Sequence, residues 1–155
     1  MVTWSELEHA EPAFAARVQQ LFDAGRHKTI ATLRANGAPR ISGIECEFID
    51  GELRFGSMAD ARKGADLARD PRFALHGPTF HPVEGKENEW PGEAKIAGRA
   101  LPVLPDLPTQ GQHPGADLFV ADIGEVVLTH LDQAATKLVV EWWTPAGGLR
   151  VIERA

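Results

Sequence analysis

The order of apolar and polar residues predicts a helix near the start of the chain. Pro12 suits the first turn of this helix, and Ser5-x-x-Glu8 matches a capping box before it. Gly25 is a natural C-cap. The apolar residues that recur here at helical spacing are Phe14, Val18, Leu21 and Phe22. They form one face, which is expected to lie in the core.

Alternating apolar and polar residues then predict strands over most of the remaining chain. The expected strands cover residues 29–34, 39–49, 53–57, 72–76, 93–103, 119–131, 137–144 and 149–154. Asn36-Gly37 and Asp50-Gly51 predict tight hairpin turns. Irregular loops are expected at residues 78–91 and 104–115. Hairpin-linked strands with one short inserted helix predict a mainly β fold, an antiparallel β-barrel in a single domain over residues 1–155.

The short inserted helix has an unusual charge arrangement at its start. Residues 57–71 indicate a strand end, a turn and a helix, with Asp60 as the expected N-cap. Arg62 and Lys63 then face the positive end of the helix dipole, which costs about a few tenths of a kcal/mol each. A bound anion would remove that cost, because free helical N–H groups, both cations and the Ser57 hydroxyl converge there. A solvated basic turn, partly neutralised by neighbouring aspartates, is the alternative.

Composition limits the classes of function. The chain has 155 residues, 43% hydrophobic and 25% charged, as in an ordinary globular domain. A net charge of -6 argues against binding to nucleic acid or to an anionic membrane surface. The single cysteine, Cys46, excludes a disulfide framework and is expected to be a buried, inert thiol. Neither a signal peptide nor a membrane-spanning run is visible, so a cytoplasmic protein is expected.

Other polar residues offer weaker candidates. The sequence lacks the Rossmann, P-loop, serine-hydrolase and zinc-protease signatures. His76 and His81 flank a segment broken by proline, and His113 lies in the other long loop, so no metal site is expected. Glu45 and Glu47 share one strand face and are expected to be solvated rather than paired catalytic acids.

Trp142 and Trp143 occupy adjacent strand positions and must point to opposite faces. One indole can fill the core. The other needs cover, because burying a large apolar side chain is worth about 1.5–3 kcal/mol. A dimer interface or a planar ligand is the expected cover, and the sequence does not decide which tryptophan has that role.

Several motifs in order resemble the pyridoxamine 5'-phosphate oxidase-like family. The first, at residues 29–42, is TIATLRANGAPRIS, and it is followed by GELRF at 51–55 and ARK at 61–63. LARDPR at 67–72 and LVVEWWTP near the end continue the resemblance over nearly the whole chain. This family implies a split β-barrel of Greek-key type that forms a homodimer. It also implies that FMN, or the deazaflavin coenzyme in some branches, binds between the subunits.

The resemblance also implies site residues. The phosphate would meet Arg40, Ser57, Arg62 and Lys63, while the backbone at Ser42, Gly43 and Ile44 would line the ring. The full set expected to bind the cofactor is Arg40, Ser42, Gly43, Ile44, Gly56, Ser57, Arg62, Lys63 and Trp142. No catalytic residue is assigned.

The chain departs from the family pattern at three places. Ala61 stands where many members have a serine before Arg-Lys, and Asp66 stands near the usual asparagine, where it brings a negative charge closer to the phosphate. The arginine-histidine substrate motif is missing near Arg150. We therefore expect an FMN-dependent oxidoreductase that transfers hydride to a small-molecule substrate, but not a true pyridoxamine 5'-phosphate oxidase. The alternatives are a deazaflavin-dependent reductase and a non-catalytic flavin- or haem-binding protein.

Overall fold

The computed structural model describes residues 1–103 and 117–155, which form three α-helices and nine strands. The elements are α1 (Trp4–Ala10), α2 (Pro12–Asp23), β1 (Lys28–Leu33), β2 (Pro39–Ile44), β3 (Cys46–Ile49), β4 (Glu52–Ser57), α3 (Arg62–Arg69), β5 (Arg72–His76), β6 (Glu93–Pro102), β7 (Asp117–Leu131), β8 (Leu138–Thr144) and β9 (Gly148–Arg154). The expected loop at 104–115, with His113, lies outside the described residues.

All strand pairs are antiparallel, and they join in the order β2-β1-β5-β6-β7-β4-β3. The long strand β7 pairs with β6 along one edge. Its other edge pairs first with β4 and then, further along, with β8, which carries β9. Within the described ranges, the end strands β2 and β3 do not pair with each other, so the sheet stays open. The expected mainly β, split-barrel architecture is confirmed.

One continuous core fills the space between the sheet and the first two helices. The face predicted for the N-terminal helix is buried as expected, with Val18 and Phe22 fully enclosed. Phe55 of β4 packs on Phe119 of the adjacent strand β7 and on Phe73 of β5, with ring centroids 6.1 and 4.9 Å away. This core holds β4, the strand that leads into α3, in a fixed position.

The predicted hairpin turns are confirmed by their backbone angles. Asp50 and Gly51 have φ values of 51° and 74°, as a turn with two left-handed residues requires. Gly37 has a φ of 84° in the turn between β1 and β2. The predicted strand at 72–76 coincides with β5.

The N-terminal helix differs from the prediction in three details. There are two helices, because the chain leaves the helical conformation at Glu11. The capping box is formed by Thr3 and Glu6, not by Ser5 and Glu8, because α1 starts at the residue after Thr3. The C-cap of α2 is Ala24 rather than Gly25. Position 25 requires glycine for another reason, because a Cβ there would stand 2.8 Å from the Pro78 side chain.

The strand predicted over 39–49 is two strands. β2 pairs with β1, whereas β3 pairs with β4, and the change of partner falls at Glu45. The alternation of burial continues across this break, from buried Ile44 through exposed Glu45 to partly buried Cys46. The alternation of apolar and polar residues in the sequence indicates which side chains face inward. It does not indicate which strand is the neighbour, so the change of partner could not be predicted from it.

Candidate functional site

The start of α3 has no side-chain cap. The sequence predicted Asp60 as the N-cap, but this is wrong, because a φ of 61° places Asp60 in a left-handed turn before the helix. The N-cap is Ala61, which is extended and has no oxygen to offer the helix. The first intrahelical bond joins Ala65 N–H to Ala61 O at 3.2 Å. The N–H groups of the first turn therefore find no acceptor among the described residues.

Arg62 and Lys63 are the first two residues of α3. Arg62 is exposed and Lys63 is partly buried. Neither side chain donates a hydrogen bond or forms an ion pair within the described part of the chain. Two cations and uncapped N–H groups thus meet at one end of the helix, and this arrangement favours an anion.

Ser57 ends β4 beside this helix start. It is 3% exposed, and its hydroxyl donates to Met58 O at 3.2 Å. Gly64 allows the helix backbone to approach, because a Cβ there would stand 3.0 Å from Ser57 Oγ and 2.8 Å from Asp117 Oδ2. Asp117 is a site residue that sequence reasoning missed. Pairing of Ser57 with Asp117 across β4 and β7 brings its carboxylate to the first turn of α3.

Arg40 reaches α3 from β2. Its Nε donates to Asp66 Oδ2 at 2.7 Å, and Thr32 Oγ1 donates to the same oxygen at 2.8 Å. Arg69 donates to Asp66 Oδ1 at 3.0 Å. Burial disfavours the charged form of Asp66, but these three hydrogen bonds outweigh burial and lower the pKa of its carboxyl below the ordinary value. Asp66 is therefore an ionised, buried anchor for both arginines.

The residues expected to line a ring lie on a sheet edge. β2 pairs with β1 on one side only among the described strands. Ser42 is partly buried and Ile44 is buried, while Gly43 is exposed with no atom within 4 Å of where its Cβ would be. Gly56 lies on a different strand, β4, where it pairs with Leu118 of β7. The open space over Gly43 is compatible with a planar group against the strand.

The two tryptophans point to opposite faces, as predicted. Trp143 fills the core, whereas Trp142 is partly buried with the Arg150 guanidinium 5.4 Å from its ring centre. Its buried Nε1–H finds no acceptor among the residues described. An unpaired buried donor costs about 1–3 kcal/mol. Sequence reasoning missed Arg150, which the β8–β9 register places directly opposite Trp142.

One chain does not bring Trp142 to the start of α3. Ser57 lies opposite Asp117 on β7, and Trp142 lies opposite Val127 on the same strand. Ten residues of strand separate these positions, about 30 Å at roughly 3.3 Å per residue. Trp142 would therefore reach the phosphate residues at the start of α3 only from a second copy of the chain.

A second ion cluster, centred on the buried Glu141, joins α2 to the sheet. Arg17 donates to both carboxylate oxygens of Glu141, at 2.8 and 2.6 Å, and His130 Nε2 contacts Glu141 at 2.8 Å. Burial opposes ionisation of Glu141, but the Arg17 and His130 contacts lower its pKa overall. A cavity of about 390 Å³ lies beside Arg17, against Leu128. No sequence motif marks this cluster, because its members come from three distant segments.

The surroundings of the other candidate residues, Cys46 and Glu45, do not favour a catalytic role. Burial raises the pKa of the Cys46 thiol to about 11, so the thiolate is scarce at neutral pH. Glu45 pairs with Arg26 at 2.8 Å on an exposed surface. In the part of the chain that the structure describes, no three histidine, cysteine or acidic side chains are placed to hold a metal ion. No helix there has the length and apolar character needed to cross a bilayer.

Comparison with solved structures identifies proteins of similar fold. No family model matches the chain, and no curated protein matches it. An FMN-binding, pyridoxamine 5'-phosphate oxidase-related protein of Nostoc punctiforme superposes with a TM-score of 0.64. The two chains share 12% identity over 94% of this chain and 96% of that one.

Two further solved structures are similar. PhzG of Burkholderia lata, in complex with tetrahydrophenazine-1-carboxylic acid, has a TM-score of 0.60 and 12% identity, over 92% of this chain and 86% of that one. A heme binding protein of Mycobacterium smegmatis has a TM-score of 0.54 and 14% identity, over 88% and 56% of the two chains. The resemblance drawn from the sequence motifs is confirmed at the level of the fold. The chain has the split β-barrel fold of the pyridoxamine 5'-phosphate oxidase-like proteins.

Proposed function

We propose that the protein binds FMN, with the phosphate at the start of α3 and the ring along the edge of β2. The observation that carries this proposal is the uncapped first turn of α3, with Arg62 and Lys63 lacking partners among the described residues. Ser57 and Arg40 would complete the phosphate contacts. Ser42, Gly43, Ile44 and Gly56 would lie along the ring.

The residues present fit such a cofactor. Gly43 leaves open space beside the strand, and the buried Nε1–H of Trp142 has no acceptor within residues 1–103 and 117–155. A homodimer would use this tryptophan, because only a second copy brings it near the phosphate residues. The dimer and the cytoplasmic location stay predictions.

FMN, when bound, would accept and pass on a hydride, so the proposed activity is that of an oxidoreductase acting on a small molecule. The chain's own residues would hold the phosphate, orient the ring and cover it. No acid or base is assigned, and true pyridoxamine 5'-phosphate oxidase activity is not proposed. A deazaflavin coenzyme, which also carries phosphate, is the alternative within this class.

A non-catalytic flavin- or haem-binding protein is the second candidate. It is favoured by the similarity of the fold to the mycobacterial heme binding protein. The absorption spectrum of the purified protein separates these cases: flavin gives a yellow protein and haem a red-brown one. A colourless protein would then be titrated with FMN, riboflavin and hemin.

Reduction of the loaded protein tests whether it is an enzyme. Reduced nicotinamide or reduced deazaflavin should bleach bound FMN, and a candidate acceptor should restore the colour. Bound FMN that no donor reduces would favour the binding protein. A chain that binds FMN no better than riboflavin would contradict the phosphate site itself.

A further inference from the structure

Asp66 is a buried acid next to the proposed phosphate site, near the place where the family that the chain resembles has asparagine. It is 3% exposed and lies on the face of α3 that packs against β1, where Arg40 of β2 also reaches its carboxylate. Considered as a charge alone, it should oppose the binding of an anion nearby. Its hydrogen bonds indicate a different role.

The two oxygens of Asp66 have separate partners. Oδ2 accepts from Thr32 and from Arg40 Nε, and Oδ1 accepts from Arg69. Two arginines share one carboxylate, so the cluster of Asp66, Arg40 and Arg69 keeps a net positive charge. The acid therefore does not make this side of the site anionic.

The hydrogen bond from Arg40 to Asp66 leaves most of the N–H donors of the Arg40 guanidinium free for another acceptor. A guanidinium has five N–H donors in a rigid plane, and Asp66 takes only the one on Nε. The terminal nitrogens of Arg40 donate to no residue in the described ranges, although the side chain is only 16% exposed. A planar group that is held at Nε has its remaining N–H donors in fixed directions.

We propose that Asp66 is a positioning residue, which holds Arg40 by its Nε so that the terminal nitrogens face the phosphate. This inference rests on the proposed function, because it assumes that the anion at α3 is the flavin phosphate. Asp66 itself would not touch the ligand. Its effect on FMN should pass through Arg40 and should not extend to riboflavin, which lacks the phosphate.

Three variants test this role by titration of flavin fluorescence, after circular dichroism has shown that each variant is folded. Asp66→Ala removes the anchor, and FMN should bind at least roughly tenfold more weakly, as for one lost charge-assisted contact. Asp66→Asn can place its amide oxygen where Oδ2 accepts from Thr32 and Arg40, so it should restore most of the affinity. Riboflavin affinity should not change in either variant.

Arg40→Lys keeps the test valid if Asp66→Ala does not fold. Lysine retains the charge, but its single ammonium lacks the rigid fork that contacts Asp66 and an anion together. FMN should again bind about tenfold more weakly, with riboflavin unaffected.

The outcomes separate the inference from the proposed function. Tighter FMN binding in both Asp66 variants would show an opposing charge and overturn the positioning role. An Arg40→Lys protein that binds FMN like the wild type would overturn it as well. A wild-type protein that binds FMN and riboflavin equally, or binds neither, would overturn the proposed function and this inference together.

Discussion

Replacement of Lys63 by alanine should weaken FMN binding far more than riboflavin binding. Lys63 is the second residue of α3, partly buried, with no acceptor for its ammonium among the described residues. Its charge can therefore serve a phosphate at the helix start. The flavin ring is expected along β2, where the Lys63 ammonium cannot contact it.

The size of the effect follows from the kind of contact. A hydrogen bond to a charged group contributes about 1.5–3 kcal/mol, which corresponds to a loss of roughly tenfold to a hundredfold in FMN affinity. The fold should be retained, because the lysine opposes the helix dipole. Its removal should leave the free energy of unfolding unchanged or raise it by about 0.3–1 kcal/mol.

Fluorescence quenching of both flavins, titrated against wild type and variant, measures the difference. Lys86→Ala is the matched control, because it removes the same charge from an exposed position in the 78–91 loop. The control should bind FMN as the wild type does. Equal losses for FMN and riboflavin, or no loss of FMN affinity in Lys63→Ala, would show that Lys63 does not contact the phosphate.

Three further predictions follow from charges in the structure. Asp117→Asn removes a carboxylate beside the first turn of α3, so FMN should bind more tightly. The protein should lose about 0.3–1 kcal/mol of stability, because this carboxylate interacts favourably with the helix dipole. Weaker FMN binding in the titration would contradict this prediction. Because the folded pKa of Asp66 is lowered, its stabilisation is complete above the ordinary carboxyl pKa and is lost as pH falls through the lower folded value. The urea midpoint of the wild type should thus fall more steeply below about pH 4 than that of Asp66→Asn, and parallel curves would be inconsistent with this role. Glu141→Ala leaves the partly exposed Arg17 and His130 without their carboxylate and should cost about 1–3 kcal/mol in urea unfolding, whereas a change under about 0.5 kcal/mol would contradict a stabilising cluster.

Local patterns in the sequence were enough to place most elements. Apolar spacing identified the buried face of α2, and Asp50-Gly51 identified a hairpin because its angles are set by the turn residues themselves. Arg62 and Lys63 were placed in the first turn of α3, although Asp60 was wrong as the cap. These features depend on residues close together in the chain.

Features that depend on distant residues were not predictable in this way. The break at Glu45 reflects a change of strand partner, which side-chain alternation does not record. Asp117 reaches α3 through the pairing of β4 with β7, and Arg150 reaches Trp142 through the β8–β9 register. The sequence showed Asp66 only as a negative charge brought closer to the expected phosphate, and the hydrogen bond to Arg40 is what indicates that it holds a cation in place.

A crystal structure of the protein grown with FMN bears most directly on the proposed binding site. Electron density for the phosphate is expected at the first turn of α3, within hydrogen-bond distance of Lys63, Ser57 and the helical N–H groups. Trp142 of a second copy is expected near the flavin. Density for the phosphate at any other part of the fold would rule out the phosphate site at α3.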